Sequence, residues 1–186
     1  MEPSQKLLEF VRRMEGAFGK QSIIELKDIS NDAIQLAALK SSHLLSEVSL
    51  IAYSLHKLLT KVHIAESGEW DALRDEIEKD LDSALEMIGK NDLKGFEKAL
   101  HGVIGVIAAV DSELGNYVQG TYDKARIKQA SRAYSFGISL SRAAELTGAD
   151  KKELLQYIGA TKMHDEEIVK FGIGERLKEL KKALGK

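Results

Sequence analysis

The chain has 186 residues, with 27 Lys or Arg and 29 Asp or Glu, and its formal net charge is −2. It contains no cysteine, which excludes disulfides and thiolate metal sites. A single proline and an abundance of Leu, Ala, Glu, Lys and Ile favour an all-α protein. No secretory signal opens the chain, and its longest charge-free apolar run, at 102–110, is too short to cross a bilayer. We therefore expect a cytoplasmic protein without a membrane partner.

Apolar residues spaced by three and four predict four helices in residues 1–120. The first covers 3–18. The second begins near 23 or 31, because Ser22 with Glu25 and Ser30 both fit an N-cap. Its pattern then continues from Ser30 to Ala65, which as one helix would be about 50 Å long. The stripe of the first helix consists of Leu7, Phe10, Val11, Met14 and Phe18.

The back of the predicted second helix is polar but almost uncharged. It carries Ser42, Ser46, Ser49, Tyr53, His56, Thr60 and His63. A solvated helix face usually carries Lys and Glu. The pattern therefore fits either a merely polar surface or a face that is partly covered by another chain or by the carboxy-terminal part.

The third predicted helix, within 69–98, is heavily charged and ends near 89–91. Its buried stripe consists of Trp70, Leu73, Ile77, Leu81, Ala84 and Ile88. Asp92 is expected to cap a fourth, charge-poor helix that is rich in glycine and alanine. We expect helices two and four to be the buried pair and helices one and three to be the outer pair. Residues 1–120 would form an antiparallel bundle that dimerises.

The apolar spacing of the fourth predicted helix ends after Tyr117, so we end the first domain at residue 120. The predicted parts are a bundle at 1–120, a helix-turn-helix unit at 121–162 and a tail with an amphipathic helix at 163–186. In the second unit, Ser139 and Asp150 fit N-caps, and Gly148 fits a left-handed turn between two short helices. A covering helix before them carries Ile127, Ala130 and Tyr134. The predicted helix-turn-helix core is Ala143, Ala144, Gly148, Leu154, Ile158 and Tyr134.

A helix-turn-helix places its second helix in the major groove of DNA. Residues 121–186 hold 14 basic and 9 acidic residues, against 13 and 20 in residues 1–120, and this asymmetry favours double-stranded DNA as a partner of the second part. Basic charge on the covering helix comes from Lys124, Arg126, Lys128 and Arg132. The predicted DNA-contacting residues are Lys151, Lys152, Leu155 and Gln156 on the second helix, with Ser139, Ser141 and Arg142 before it. The lysines would contact phosphates or the acceptor atoms of guanine, and Gln156 would pair with an adenine edge. Two copies in a homodimer would bind better than one.

Residues 130–158 resemble small prokaryotic helix-turn-helix proteins predicted to be antitoxins. The shared positions are Tyr134, Gly137, Ile138, Ser139, Leu140, Ala143, Ala144, Glu145, Leu146 and Gly148. The resemblance implies a DNA-binding regulator and allows a toxin as its partner. It covers about thirty residues and implies nothing for residues 1–120, which those small proteins lack.

Two alternatives remain open. The chain could be a protein-interaction module without DNA binding, using the tail at 163–186 with Leu177, Leu180 and Leu184. It could instead be a small-molecule-binding bundle, or an unrecognised enzyme, that uses the polar back of helix two. The sequence offers no nucleophile with a neighbouring base, and His56 and His63 are too far apart to clamp one metal ion. Our expectation is a protein that is not an enzyme and has no metal site or cofactor.

Overall fold

The structure is a computed structural model, and it describes residues 3–61, 64, 67–113 and 120–161. This part of the chain is all-helical, with eight helices and no strand, which confirms the predicted fold class. The predicted tail helix lies outside the described residues. The helices are α1 (Pro3–Gly19), α2 (Ile23–Lys40), α3 (His43–Leu59), α4 (Trp70–Gly89), α5 (Leu93–Glu113), α6 (Thr121–Ser135), α7 (Leu140–Thr147) and α8 (Lys151–Ala160).

The outer helices α1 and α4 follow their sequence patterns closely. All five residues of the predicted α1 stripe are buried. The predicted α4 stripe is also buried, except that Leu73 is half-buried. The two helices pack together, and the ring of Phe18 meets the ring of Trp70 edge-on at a centroid distance of 6.3 Å. Apolar spacing is therefore sufficient to place this layer of the bundle.

The prediction of one long helix from Ser30 to Ala65 is wrong, because the chain turns back at Ser41. That residue has a left-handed backbone with φ 52°, and α2 ends there. The hydroxyl of Ser42 then accepts a bond from the backbone N–H of Leu45 and caps α3. At the other end, the Ser22 hydroxyl caps α2, so that helix begins at Ile23.

Three polar contacts join α2 and α3 into an antiparallel hairpin. The Ser49 hydroxyl donates to the carbonyl of Ser30 at 2.8 Å, and the Ser30 hydroxyl donates to the carbonyl of Ser49 at 2.9 Å. His56 Nδ1 lies 2.9 Å from the carbonyl oxygen of Ile23. Because a carbonyl only accepts, this ring nitrogen carries the proton.

The polar back of α3 is therefore buried inside the molecule. Ser46, Ser49 and His56 are buried and Tyr53 is half-buried, because α2, α6 and α7 pack on α3. Cover by the same chain explains why this part of the face lacks charge, and the alternative of a merely polar surface is wrong for it. Of the other predicted residues, Ser42 is half-buried and Thr60 is exposed. His63 lies outside the described part.

Helix α5 is only half covered, so the expectation that it forms a buried pair with α3 holds for α3 alone. Phe96, Leu100, Val103 and Ile107 are buried, and Gly95 and Gly102 allow a close approach to α4. A Cβ atom at Gly102 would overlap the carboxylate of Asp80. On the opposite side, His101, Gly105 and Ala108 are exposed. This second face of α5 is open to solvent, and the exposed Lys94, Glu97 and Lys98 lie on it before His101.

The carboxy-terminal helices α6, α7 and α8 form a three-helix unit that packs on the α2–α3 hairpin. Their buried residues belong to the same hydrophobic core as the bundle. The segment at 114–119, where the sequence places the end of the bundle, lies outside the described residues. The buried core residues of this unit are Ala130, Ala133, Ala143, Ala144, Leu146 and Leu154.

Candidate nucleic-acid interface

The α7–α8 pair has a defined cap at each helix boundary that the sequence predicts. The Ser139 hydroxyl accepts a bond from the backbone N–H of Arg142 at 3.2 Å. Gly148 ends α7 with φ 68°, in the left-handed region that glycine adopts without a Cβ penalty. Asp150 Oδ1 accepts from the N–H groups of Lys152 and Glu153, both at 2.9 Å, and begins α8. The turn between the helices is therefore fixed from both sides.

Small residues bring α7 and α8 close to α6. Ala143, Ala144 and Leu154 are buried, and Ile158 is half-buried. Thr147 is also buried, and its hydroxyl donates to the carbonyl of Ala143 at 3.0 Å, so a polar residue fits this apolar position.

Tyr134 does not belong to this core, which corrects the prediction. Its side chain is 36% exposed. The buried side of α6 is formed by Ala125, Gln129, Ala130 and Ala133, and Ile127 is half-buried. The helix thus presents alanines to its neighbours, and Tyr134 lies to one side of this buried face.

Four predicted contact residues form the outward face of α8. Lys151 and Leu155 lie one turn apart, as do Lys152 and Gln156, and all four are exposed. Leu155 is 58% exposed, which makes it a large apolar side chain in the middle of a polar face. Within the described part of the chain, the side-chain ends of the two lysines and of Gln156 make no hydrogen bond or ion pair. This face is available to a partner.

The amino-terminal end of α7 supplies a second group of exposed polar side chains. Ser139, Ser141 and Arg142 are exposed. Arg142 Nη1 pairs with Glu145 Oε2 at 3.0 Å, and both side chains are largely in solvent. Such a surface ion pair contributes between zero and about 1 kcal/mol, so the guanidinium can exchange it for a phosphate.

The basic residues of α6 are largely committed to contacts within the chain. Lys128 Nζ donates to the hydroxyl of Tyr157 at 3.0 Å and so ties α6 to α8. Arg126 lies 5.0 Å from the centre of the Tyr122 ring and pairs with Asp123. As a result, the positive charge of the outward face depends on α7 and α8, which together carry three basic and two acidic residues, with the N-cap Asp150 as a further acid between them.

Sequence reasoning missed Glu47, which lies between the bundle and the three-helix unit. Its Oε2 atom is buried without a hydrogen-bond partner, and its Oε1 atom lies 3.9 Å from His101 Nε2. Burial raises the pKa of Glu47 above its usual value. Burial, and then the charge of Glu47, raise the pKa of Tyr122 on α6 to about 12. A lone acidic residue in the otherwise apolar and polar α3 is the signal that could have found this group.

Other site types find no support in the described ranges. There, no three His, Asp or Glu side chains are grouped as a metal site. In the same residues, no helix combines the length and the apolar character that crossing a membrane requires. In α3, Ser46, Ser49, Ser54 and His56 are buried and Tyr53 is half-buried, so these side chains do not line an open ligand site.

Comparison with protein-family models, with curated proteins and with solved structures finds no match for this chain.

Proposed function

We propose that the chain is a DNA-binding regulator and that α8 enters the major groove of double-stranded DNA. The observation that carries the proposal is the outward face of α8, defined by Lys151, Lys152, Leu155 and Gln156, which follows a turn capped on both sides. A recognition helix needs an exposed polar face near its amino-terminal end and a rigid support behind it. The packing of α6 on α7 and α8 supplies that support.

The contacts divide into phosphate and base contacts. Lys151, Lys152 and Arg142 supply three cations for phosphates, and Gln156 supplies an amide that can pair with adenine. Ser139 and Ser141 lie close to Arg142 in the sequence, and their hydroxyls can donate hydrogen bonds to the DNA backbone. With three phosphate contacts, the log–log slope of binding against salt concentration is about −2.7. This slope is shallow, so one copy binds DNA weakly and loses affinity gradually with salt.

A homodimer compensates for such weak binding by placing two α8 helices on two half-sites. We assign the dimer contact to the exposed face of α5 around Gly105 and Ala108, which are uncharged and open to solvent. Light scattering measures the oligomeric state directly. A dimer has twice the monomer mass of 20.5 kDa, and a mass of 20.5 kDa at micromolar concentration contradicts it.

Fluorescence anisotropy with a labelled random-sequence 30-base-pair duplex tests DNA binding. The variant Lys151→Ala/Lys152→Ala removes two of the three proposed phosphate contacts, so its salt slope should fall by about 1.8. The matched control is Arg12→Ala/Lys79→Ala, which removes the same charge from exposed positions on α1 and α4. Equal losses in both variants would mean that net charge, and not the α8 face, governs binding.

A protein-interaction module is the second candidate, and its motivating observation is Leu155, an apolar side chain that is 58% exposed in the middle of the outward face of α8. The two proposals differ in the role of the tail. Removal of residues 163–186 leaves DNA affinity unchanged if α8 is the binding element. Loss of partner capture together with no DNA binding by the full chain would favour the second candidate.

A further inference from the structure

The least expected residue on the outward face of α8 is Leu155. Single exposed apolar residues are common on protein surfaces and usually need no explanation. Leu155, however, is flanked on this face by Lys151, Lys152 and Gln156, the residues assigned to DNA. It is 58% exposed, so most of its side chain is free to contact another molecule.

We propose that α8 selects A·T base pairs, with the amide of Gln156 on adenine and the side chain of Leu155 on the 5-methyl group of thymine. This inference rests on the proposed function. In the major groove, an A·T pair presents the N7 acceptor and the N6 donor of adenine beside the O4 acceptor and the methyl group of thymine. An amide and an apolar side chain at neighbouring positions match this pattern.

The geometry of α8 permits both contacts at once. Gln156 and Leu155 are consecutive, so they lie about 1.5 Å apart along the helix axis and about 100° apart around it. Both are exposed, and the Gln156 amide makes no side-chain hydrogen bond in the described part of the chain. The lysines lie one turn earlier, where they can reach the flanking phosphates without displacing either base contact.

A G·C pair does not satisfy the same two side chains. Guanine offers two acceptors, N7 and O6, so the oxygen of the Gln156 amide loses its donor. Cytosine has no methyl group, so Leu155 loses its apolar contact. The lost bidentate contact costs at least about fivefold and the lost methyl contact about fourfold, so we expect affinity for G·C duplexes to be at least about twentyfold lower than for A·T duplexes.

The test uses the full chain and three 20-base-pair duplexes with the same number of phosphates, made of alternating A and T, alternating A and U, or alternating G and C. Uracil lacks only the 5-methyl group. The wild type should bind the A/U duplex about fourfold more weakly than the A/T duplex, as expected for one buried methyl group. Leu155→Ala should bind A/T and A/U equally. Gln156→Ala should retain the roughly fourfold A/T over A/U ratio, and its preference for A/T over G/C should fall to about the same fourfold.

Each result decides between the claims. Equal binding of all three duplexes by the wild type leaves DNA binding intact and overturns the A·T inference. If Leu155→Ala still binds the A/T duplex more tightly than the A/U duplex, the methyl group acts through the shape of the duplex and not through Leu155. That result also overturns the inference. No binding to any duplex, with protein capture through Leu155 instead, overturns the proposed function and the inference together. Because both residues are exposed, far-ultraviolet circular dichroism should show that each variant is folded.

Discussion

Replacement of Gly148 by alanine tests the turn that orients α8. This glycine has φ 68°, and a Cβ atom there would lie 3.6 Å from Arg126 Nε, which is an ordinary contact distance. Steric overlap therefore contributes little. The cost arises from holding an L-residue in the left-handed region, which is about 1–2 kcal/mol. Gly148→Ala should lower the free energy of unfolding by about that amount.

Gly16 in α1 is the matched control for the same chemical change. It lies within a right-handed helix, and a Cβ atom there would meet nothing within 4 Å. Alanine at this position removes the excess backbone freedom of glycine in the unfolded chain. Gly16→Ala should therefore raise the free energy of unfolding, by up to about 1 kcal/mol. The two variants are predicted to move stability in opposite directions.

Urea unfolding followed by circular dichroism measures both changes. In a chain of this size, 1 kcal/mol corresponds to a change in Tm of about 2–4 °C, so thermal melts can check the sign. Gly148→Ala should also weaken DNA binding, because a shifted turn displaces the face of α8. A Gly148→Ala variant as stable as the wild type would show that this residue does not hold the left-handed conformation on which the turn depends.

Two further predictions concern buried polar groups. Burial raises the pKa of Glu47, so the folded chain binds a proton that the unfolded chain releases, and stability falls as pH rises from 4.5 through the raised pKa. Glu47→Gln should remove this loss and increase stability at pH 7 but not at pH 4 in urea titrations; a destabilised variant at pH 7 would contradict the argument. Ser30→Ala and Ser49→Ala each delete one hydroxyl-to-carbonyl bond between α2 and α3, and each should cost about 1 kcal/mol in the same assay. Unchanged unfolding of both serine variants would show that these bonds do not hold the hairpin.

Local signals predict much of this fold because each depends on a few neighbouring residues. The apolar stripes of α1 and α4, and the N-caps Ser22, Ser139 and Asp150, are all legible in the sequence, and the structure places them as expected. A cap needs one hydroxyl or carboxylate within three residues of a backbone N–H.

The helix break at Ser41 could not be predicted from the apolar spacing. An antiparallel hairpin buries the facing sides of both of its helices, and here the spacing by three and four continues in phase across the turn. Periodicity alone therefore does not distinguish one long helix from two short ones. The serine pair at Ser41 and Ser42 is the local signal, since Ser42 is a good N-cap.

The roles of the α6 cations also depend on contacts that are distant in sequence. Lys128 bonds to Tyr157, which lies 29 residues further along the chain. Arg126 instead contacts Tyr122 and Asp123 within α6 itself. Both count toward the positive charge that favours DNA in the sequence, whereas in the fold Lys128 ties α6 to α8 and Arg126 pairs within α6. The candidate interface is accordingly smaller than the charge count predicts, and it depends on Arg142, Lys151 and Lys152.

The central claim is that α7 and α8 form the DNA-contacting surface. Backbone amide chemical shifts, recorded while a 20-base-pair A/T duplex is added to the full chain, test it without any substitution. The account predicts that the shift changes cluster at Ser139, Ser141, Arg142 and on α8 from Lys151 to Gln156, with α1 and α4 unaffected. Shift changes confined to α1, to α4 or to the exposed face of α5 would contradict this claim, and so would the absence of any change.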